Sequence, residues 1–156
     1  MPKKVPHNRP AVLLVNRCFV LDFTVGKILA VQRSATDTHH PGLWECPGGK
    51  LDEGQDLHGA LEREVMEETG FLVRLIDSIA HCESKVIGGK NKYTGMPYVS
   101  LFGLASIVGG KLKLSHEHDD AKWCHYDEFM ALALTPETQK AAIVLERRLR
   151  ENGVVF

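Results

Sequence analysis

Apolar and polar positions along the chain switch period several times, and each switch marks an element. The apolar run "AVLLVNRCFVLD" (11–22) predicts a strand, and "KILAVQR" (27–33) predicts its hairpin partner across a turn at Val25-Gly26. The polar segment "SATDTHHPG" (34–42) is a loop leading to a short "LWE" strand, then a glycine-rich turn, "CPGGKLDEGQ". Residues 56–69 change to helical spacing, with Asp56 as N-cap and Gly70 as the stop. Leu57, Leu61 and Val65 form the stripe expected to pack on a sheet. Strands are predicted over 71–84 and 98–108 around a loop at 88–97, with a short strand near Lys122–His125 leading to a small helix. Thr135 caps a last helix from Pro136 that turns Ala141, Val144, Leu145 and Leu149 inward. Strands interrupted by one central and one terminal helix predict a mixed α/β sandwich.

The central helix carries an electrostatic anomaly. Glu67 lies roughly 60° to one side of Glu64 and Glu68 roughly 40° to the other, so the three share one narrow arc. They gather at the negative end of the helix dipole. Like charges four apart cost about 0.2–0.5 kcal/mol, and an anion in the last turn about 0.3–1 kcal/mol. Arg63 relieves Glu67 from one turn away but does not neutralise the set. A hard divalent cation, Mg²⁺ or Mn²⁺, would; the plain alternative is a solvated acidic face. Gly48 and Gly49 allow a tight turn that brings a backbone carbonyl to the same ion, or are an ordinary turn.

The stretch "GGKLDEGQDLHGALEREVMEETGF" resembles the Nudix box, G-x5-E-x7-R-E-U-x-E-E-x-G-U, where U is aliphatic or bulky apolar. Gly49, Arg63, Glu64, Val65, Glu67, Glu68, Gly70 and Phe71 occupy the matching positions. One position departs: Gln55 stands where the family has its first glutamate, which is thought to help hold the arginine. Gln55 is expected to accept a hydrogen bond from Arg63 without bringing a charge. "GLWECPGGK" is similar to the approach to the box in MutT-like members, and the strand order suits the family's α/β/α sandwich with a mixed sheet. The resemblance thus covers nearly the whole chain, 1–156, read as one Nudix domain.

The resemblance implies metal-dependent cleavage of a phosphoanhydride bond in a nucleoside diphosphate linked to another group X. It implies a metal shell of the Gly48 carbonyl, Glu64, Glu67 and Glu68, with Glu64 as first candidate for the general base. Glu117, six residues before Trp123, matches a family glutamate that serves as ligand or base; the alternative is a loop glutamate. Arg33, followed by His39 or His40, is a candidate phosphate grip or a solvated strand end. Glu45 and Lys50 are further candidate substrate contacts. Trp44 stacks on a base or joins the core. Lys85, Lys90 and Lys92 near Tyr93 contact phosphates or form a solvated loop, and His116 and His118 are weaker candidate ligands.

No proline lies between Phe71 and Met96, Tyr93 comes late for a dinucleoside-polyphosphate mark, and no coenzyme A motif is seen. The remaining expectation is a MutT-type nucleoside triphosphate pyrophosphohydrolase, its substrate an ordinary or an oxidised nucleotide, with NDP-sugars or other NDP-X compounds as the alternative. A nucleotide-binding module weakened at Gln55 is the reading from another class. The Asn that reads an oxidised guanine in MutT-like members would fall near Thr138, so the resemblance does not specify 8-oxo-dGTP.

Composition narrows the classes. Of 156 residues, 44% are hydrophobic and 25% charged, with a net charge of -1, which gives no support for a nucleic-acid-polymer or membrane-surface binder. The start, "MPKKVPHNRP", is basic without an apolar leader core, and no apolar run is long enough to span a bilayer. The cysteines (18, 46, 82 and 124) show no C-x-x-C pair and read as buried free thiols in a reduced compartment. The expected protein is cytoplasmic, a monomer or homodimer, whose partner is a small nucleotide.

Overall fold

The computed structural model describes residues 11–154, apart from the Ser78 side chain. The basic stretch at the start of the chain lies outside them. Among the described residues, the sheet has seven strands: β1 (Leu13–Asp22), β2 (Lys27–Arg33), β3 (Trp44–Glu45), β4 (Gly48–Lys50), β5 (Phe71–Val86), β6 (Pro97–Gly110) and β7 (His118–Cys124). Three helices join them: α1 (Leu57–Thr69), α2 (Tyr126–Met130) and α3 (Pro136–Glu151).

β1 explains the layering. It pairs in parallel with β6, and every position from Val15 to Leu21 is buried, so alternate side chains feed two cores. Phe19 and Leu21 join Ile28, Phe102, Phe129, Ala141 and Leu145 on the face covered by α2 and α3. Cys18 and Val20 join Leu29, Leu61, Val65 and Ala105 under α1. The result is the α/β/α sandwich with a mixed sheet. Gly103 on β6 lets α1 settle closely, since a Cβ there would stand 2.7 Å from Leu61 Cδ2.

The sheet forks where the site forms. β1 pairs with β2 only at its far end, through Leu21–Ile28 and Asp22–Lys27. Nearer its start it pairs with β4, from Val15–Lys50 to Arg17–Gly48. β2 turns instead to β3, through Val31–Glu45 and Gln32–Trp44. Residues 44–50 therefore fill a wedge between two parting strands, tied in place by the Cys18 N–H donating to the Pro47 carbonyl at 2.8 Å.

Several expectations are revised. The glycine-rich turn contains β4, a true strand, because β1 offers it a free edge. β7 begins at His118, four residues before the expected Lys122, because its polar start pairs with Arg33 on β2. β5 and β6 run further than expected, to Val86 and from Pro97, and their connection is ordered by Gly95 N–H donating to Ile87 O at 2.8 Å. Val144 is half-buried outside the core, and Ala142 takes the inward position. Trp44 belongs to the core, with Lys122 Nζ 4.6 Å from its ring centre. Cys18, Cys46 and Cys124 are buried free thiols, whereas Cys82 is exposed. No helix among the described residues is long and apolar enough to cross a membrane.

Candidate active site in the sheet wedge

α1 is fixed at both ends. The Asp56 carboxylate accepts from the Gly59 N–H, and Gly70, at φ 75°, ends the helix with its N–H donating to Met66 O. Anchored by Leu61 and Val65, the helix delivers its last turn to the wedge. There Glu68 is only 4% exposed and accepts a 2.8 Å hydrogen bond from the Gly48 N–H. Gly48 itself, at φ 145°, lies so close to β1 that a Cβ would stand 2.1 Å from Asn16 O. A Cβ on Gly49 would stand 2.7 Å from Glu64 Oε2. The two glycines thus bring bare backbone against two carboxylates.

Charge at this point is only partly compensated. Burial pushes the Glu68 carboxyl up to about 8, opposed by the Gly48 N–H and by Arg17, and reinforced by Glu117 and Glu45. Burial also raises Glu64, with Arg63 opposing and Glu67 and Glu117 adding to the rise. Glu117 is therefore within electrostatic reach of both glutamates. Arg63 donates to Glu64 Oε1 and to Glu67 Oε2, each at 3.0 Å.

These groups are hard oxygen donors with excess negative charge, which suits a divalent cation. Among the described residues, however, no three His, Cys, Asp or Glu side chains already converge as a metal cage. Arg63 occupies two of the carboxylates and the Gly48 N–H a third. The donor chemistry fits Mg²⁺ or Mn²⁺ in an arrangement still tied to protein partners.

Gln55 does not engage Arg63, contrary to expectation. Its Oε1 accepts from the Asp52 N–H at 3.2 Å and its Nε2 donates to Asp52 Oδ2 at 3.3 Å. A contact three residues away costs less chain ordering than one eight residues away.

Behind the carboxylates lies a buried ionic network that the sequence reading missed. Glu45, 2% exposed, sits between Arg17 and Arg33, at 2.8 Å and 2.7 Å, with His118 Nε2 at 3.7 Å. Burial alone would raise Glu45, but Arg17, then His118 and Arg33, hold it down to about 2. Glu45 is thus a buried counter-ion, not an open substrate contact. Arg33 also donates to Asp37 Oδ2 at 2.5 Å and to the His39 carbonyl at 2.6 Å, so each of its nitrogens serves a protein acceptor. The His39 and His40 side chains stay exposed. Arg17 carried a legible signal, a charge inside an apolar strand, sharing the face of Phe19 and Leu21.

Lys50 is exposed on β4, 4.9 Å from the centre of the Tyr93 ring, and Lys92 stands at the same distance. Lys85 forms an ion pair with Glu137. His118 is buried, whereas His116 is exposed.

Comparison with known proteins identifies the family and the fold. The NUDIX domain model matches residues 12–147. The chain is 32% identical over 111 residues to the CTP pyrophosphohydrolase of Escherichia coli (strain K12), covering 71% of this chain and 76% of that protein. It is 30% identical over 114 residues to an 8-oxo-dGDP phosphatase of Homo sapiens, covering 70% of this chain and 32% of that longer protein. The crystal structure of a MutT protein from Methanosarcina mazei Go1 superposes with a TM-score of 0.72 at 24% identity, covering 93% of this chain and 97% of that one, a likeness of fold. The chain belongs to the NUDIX family.

Proposed function

We propose that this protein hydrolyses a nucleoside triphosphate to a nucleoside monophosphate and pyrophosphate, with Mg²⁺ or Mn²⁺ as cofactor. The observation that supports this reading is the seating of Gly48 and Gly49 against Glu68 and Glu64, bare backbone beside acidic side chains, a combination suited to a polyphosphate and its cation. The similar E. coli protein is named for a nucleoside triphosphate and the human one for an oxidised nucleoside diphosphate, so both point to nucleotides.

The Gly48 carbonyl, Glu64, Glu67, Glu68 and Glu117 are the residues that would hold the cation. When bound, it supplies neutralisation of phosphate charge and acidity to a water. The remaining work belongs to the chain. Arg63 orients Glu64 and Glu67 through its two hydrogen bonds. Glu64, raised by burial against the pull of Arg63, is the assigned base and takes the attacking water's proton on a carboxylate oxygen. Lys50, exposed beside Gly49, would offer its ammonium to a phosphate oxygen. Arg33 holds the loop 34–42 through the His39 carbonyl and Asp37; a phosphate contact by Arg33 would require it to leave these acceptors.

The test is product analysis by ³¹P NMR on a panel of nucleoside triphosphates, oxidised nucleotides, NDP-sugars and ADP-ribose, with Mg²⁺, Mn²⁺ or chelator. Metal-dependent pyrophosphate release from a triphosphate is expected. Turnover of NDP-sugars alone would overturn the triphosphate assignment. Nucleotide binding without turnover would replace hydrolysis with a binding role.

A further inference from the structure

The connection between β6 and β7 runs along the end of α1 and is bolted to it. A helix leaves the carbonyls of its last turn without intrahelical donors. Here the connection supplies them: the Lys113 N–H donates to Thr69 O at 2.8 Å and the Ser115 N–H to Glu68 O at 3.0 Å. Leu114, between them, packs on the core beneath α1. The approach is close enough that a Cβ on Gly70 would overlap Lys111 O.

Ser115 reaches both ways from this point. Its N–H holds the backbone of Glu68, its Oγ accepts the Glu117 N–H at 3.3 Å, and its carbonyl accepts the His118 N–H at 3.4 Å. One serine thus joins the backbones of Glu68 and Glu117. From the other side, the Ser34 N–H donates to Glu117 O at 2.9 Å and the Ala35 N–H to Asp119 Oδ2 at 2.8 Å. These bonds tie the turn at Glu117 to the loop 34–42, whose first anchor is Arg33 on buried Glu45. Glu117 itself is exposed, and its charge acts on both Glu64 and Glu68. An exposed glutamate has rotamer freedom to lose when it takes up an ion, and a backbone held from two sides limits what must be ordered.

We propose that Ser115 and Asp119 are positioning residues for Glu117, Ser115 holding it from α1 and Asp119 from the loop 34–42. The proposal rests on the hydrolase reading above, in which Glu117 is one of the residues that hold the cation. Both residues act through the backbone around Glu117, not by contact with the ion. What each supplies is an acceptor oxygen, which threonine keeps in place of Ser115 and asparagine keeps in place of Asp119.

Mn²⁺ titration followed by electron paramagnetic resonance, without nucleotide, reads the placement of Glu117 independently of turnover. Ser115→Ala and Asp119→Ala should each weaken Mn²⁺ binding about tenfold, the scale of a lost outer partner of a metal ligand. Ser115→Thr should stay close to the wild type. Asp119→Asn should recover most of the loss; it lacks the charge as alanine does, so the difference between the two isolates the hydrogen bond. In a Glu117→Gln background, Ser115→Ala should add little, because residues that act through one another are not additive. An equal loss with and without Glu117→Gln means general loosening and overturns the proposal, as does unchanged affinity in both alanine variants, each shown to be folded by circular dichroism. Should Ser115→Ala fail to fold, the Asp119 pair decides alone. Wild-type Mn²⁺ binding that is indifferent to Glu117→Gln also overturns it. Coupling of Ser115 to Glu117 without turnover of any nucleotide keeps the positioning role and removes the hydrolase.

Discussion

The Gly48 N–H and the Glu68 carboxylate meet at 2.8 Å, joining the wedge of the sheet to the last turn of α1. One hydrogen bond thus sets the distance between the strand that offers bare backbone and the helix that offers its acidic arc. It also accepts a cost, because it fixes a carboxylate that is 4% exposed without a full counter-charge.

The two glycines should fail in different ways. Gly48→Ala drives a methyl to 2.1 Å from Asn16 O at φ 145°, and backbone is the obstacle, so folded yield should fall sharply. Gly49→Ala meets the mobile end of Glu64 instead, at 2.7 Å. Its fold should survive by circular dichroism while metal-dependent turnover drops about 10- to 100-fold, on the scale of a misplaced catalytic group. A Gly49→Ala enzyme with full turnover would separate Gly49 from the position of Glu64.

Glu68 predicts a pH dependence. Its folded-state value of about 8 lies above the ordinary 4.5, so the folded state favours the proton. The associated stability is complete below 4.5 and is lost as pH rises through about 8. Thermal unfolding of chelator-treated protein should therefore weaken over this interval, and Glu68→Gln should flatten the trend and abolish metal-dependent turnover. An unchanged slope in Glu68→Gln would contradict the burial argument.

Glu45 predicts the opposite sign. Its value of about 2 lies below the ordinary 4.5, so its contribution is complete above 4.5 and lost as pH falls through about 2. Glu45→Ala leaves Arg17 and Arg33 without their shared partner and should cost about 3–5 kcal/mol in denaturant unfolding. A loss below about 1 kcal/mol would reduce the network to a surface-like pair.

Gln55→Glu replaces an amide that donates to Asp52 by a carboxylate that repels it. The turn loses that bond, and the new charge is released towards Arg63. Turnover should stay level or rise, with a slightly lower melting temperature. A drop of more than about tenfold would show that glutamine is integral to the turn's catalytic shape.

The sequence made α1 legible because its apolar stripe, Asp56 cap and Gly70 stop agree with one another. β4 was hidden because two of its three residues are glycines, which carry no side-chain pattern. The polar start of β7, "HDDA", reads as loop, and only pairing with β2 makes it a strand. In the site, the Arg63 contact to Glu67 follows from helix spacing, whereas its contact to the adjacent Glu64 does not. The partners of Arg17 were not legible either, because Glu45 reaches it only through the fork between β1 and β2. Gln55 misled for the converse reason: motif position suggested Arg63, while local turn geometry gave it Asp52.

The most direct test of the central claim is Mn²⁺ binding, followed by electron paramagnetic resonance on the wild type and on Glu64→Gln, Glu68→Gln and Glu45→Gln. The account predicts a site in the wild type that is weakened strongly in the first two variants and retained in any folded Glu45→Gln protein. Equal Mn²⁺ affinity in all four proteins would contradict it and return the acidic arc of α1 to a solvated helix face.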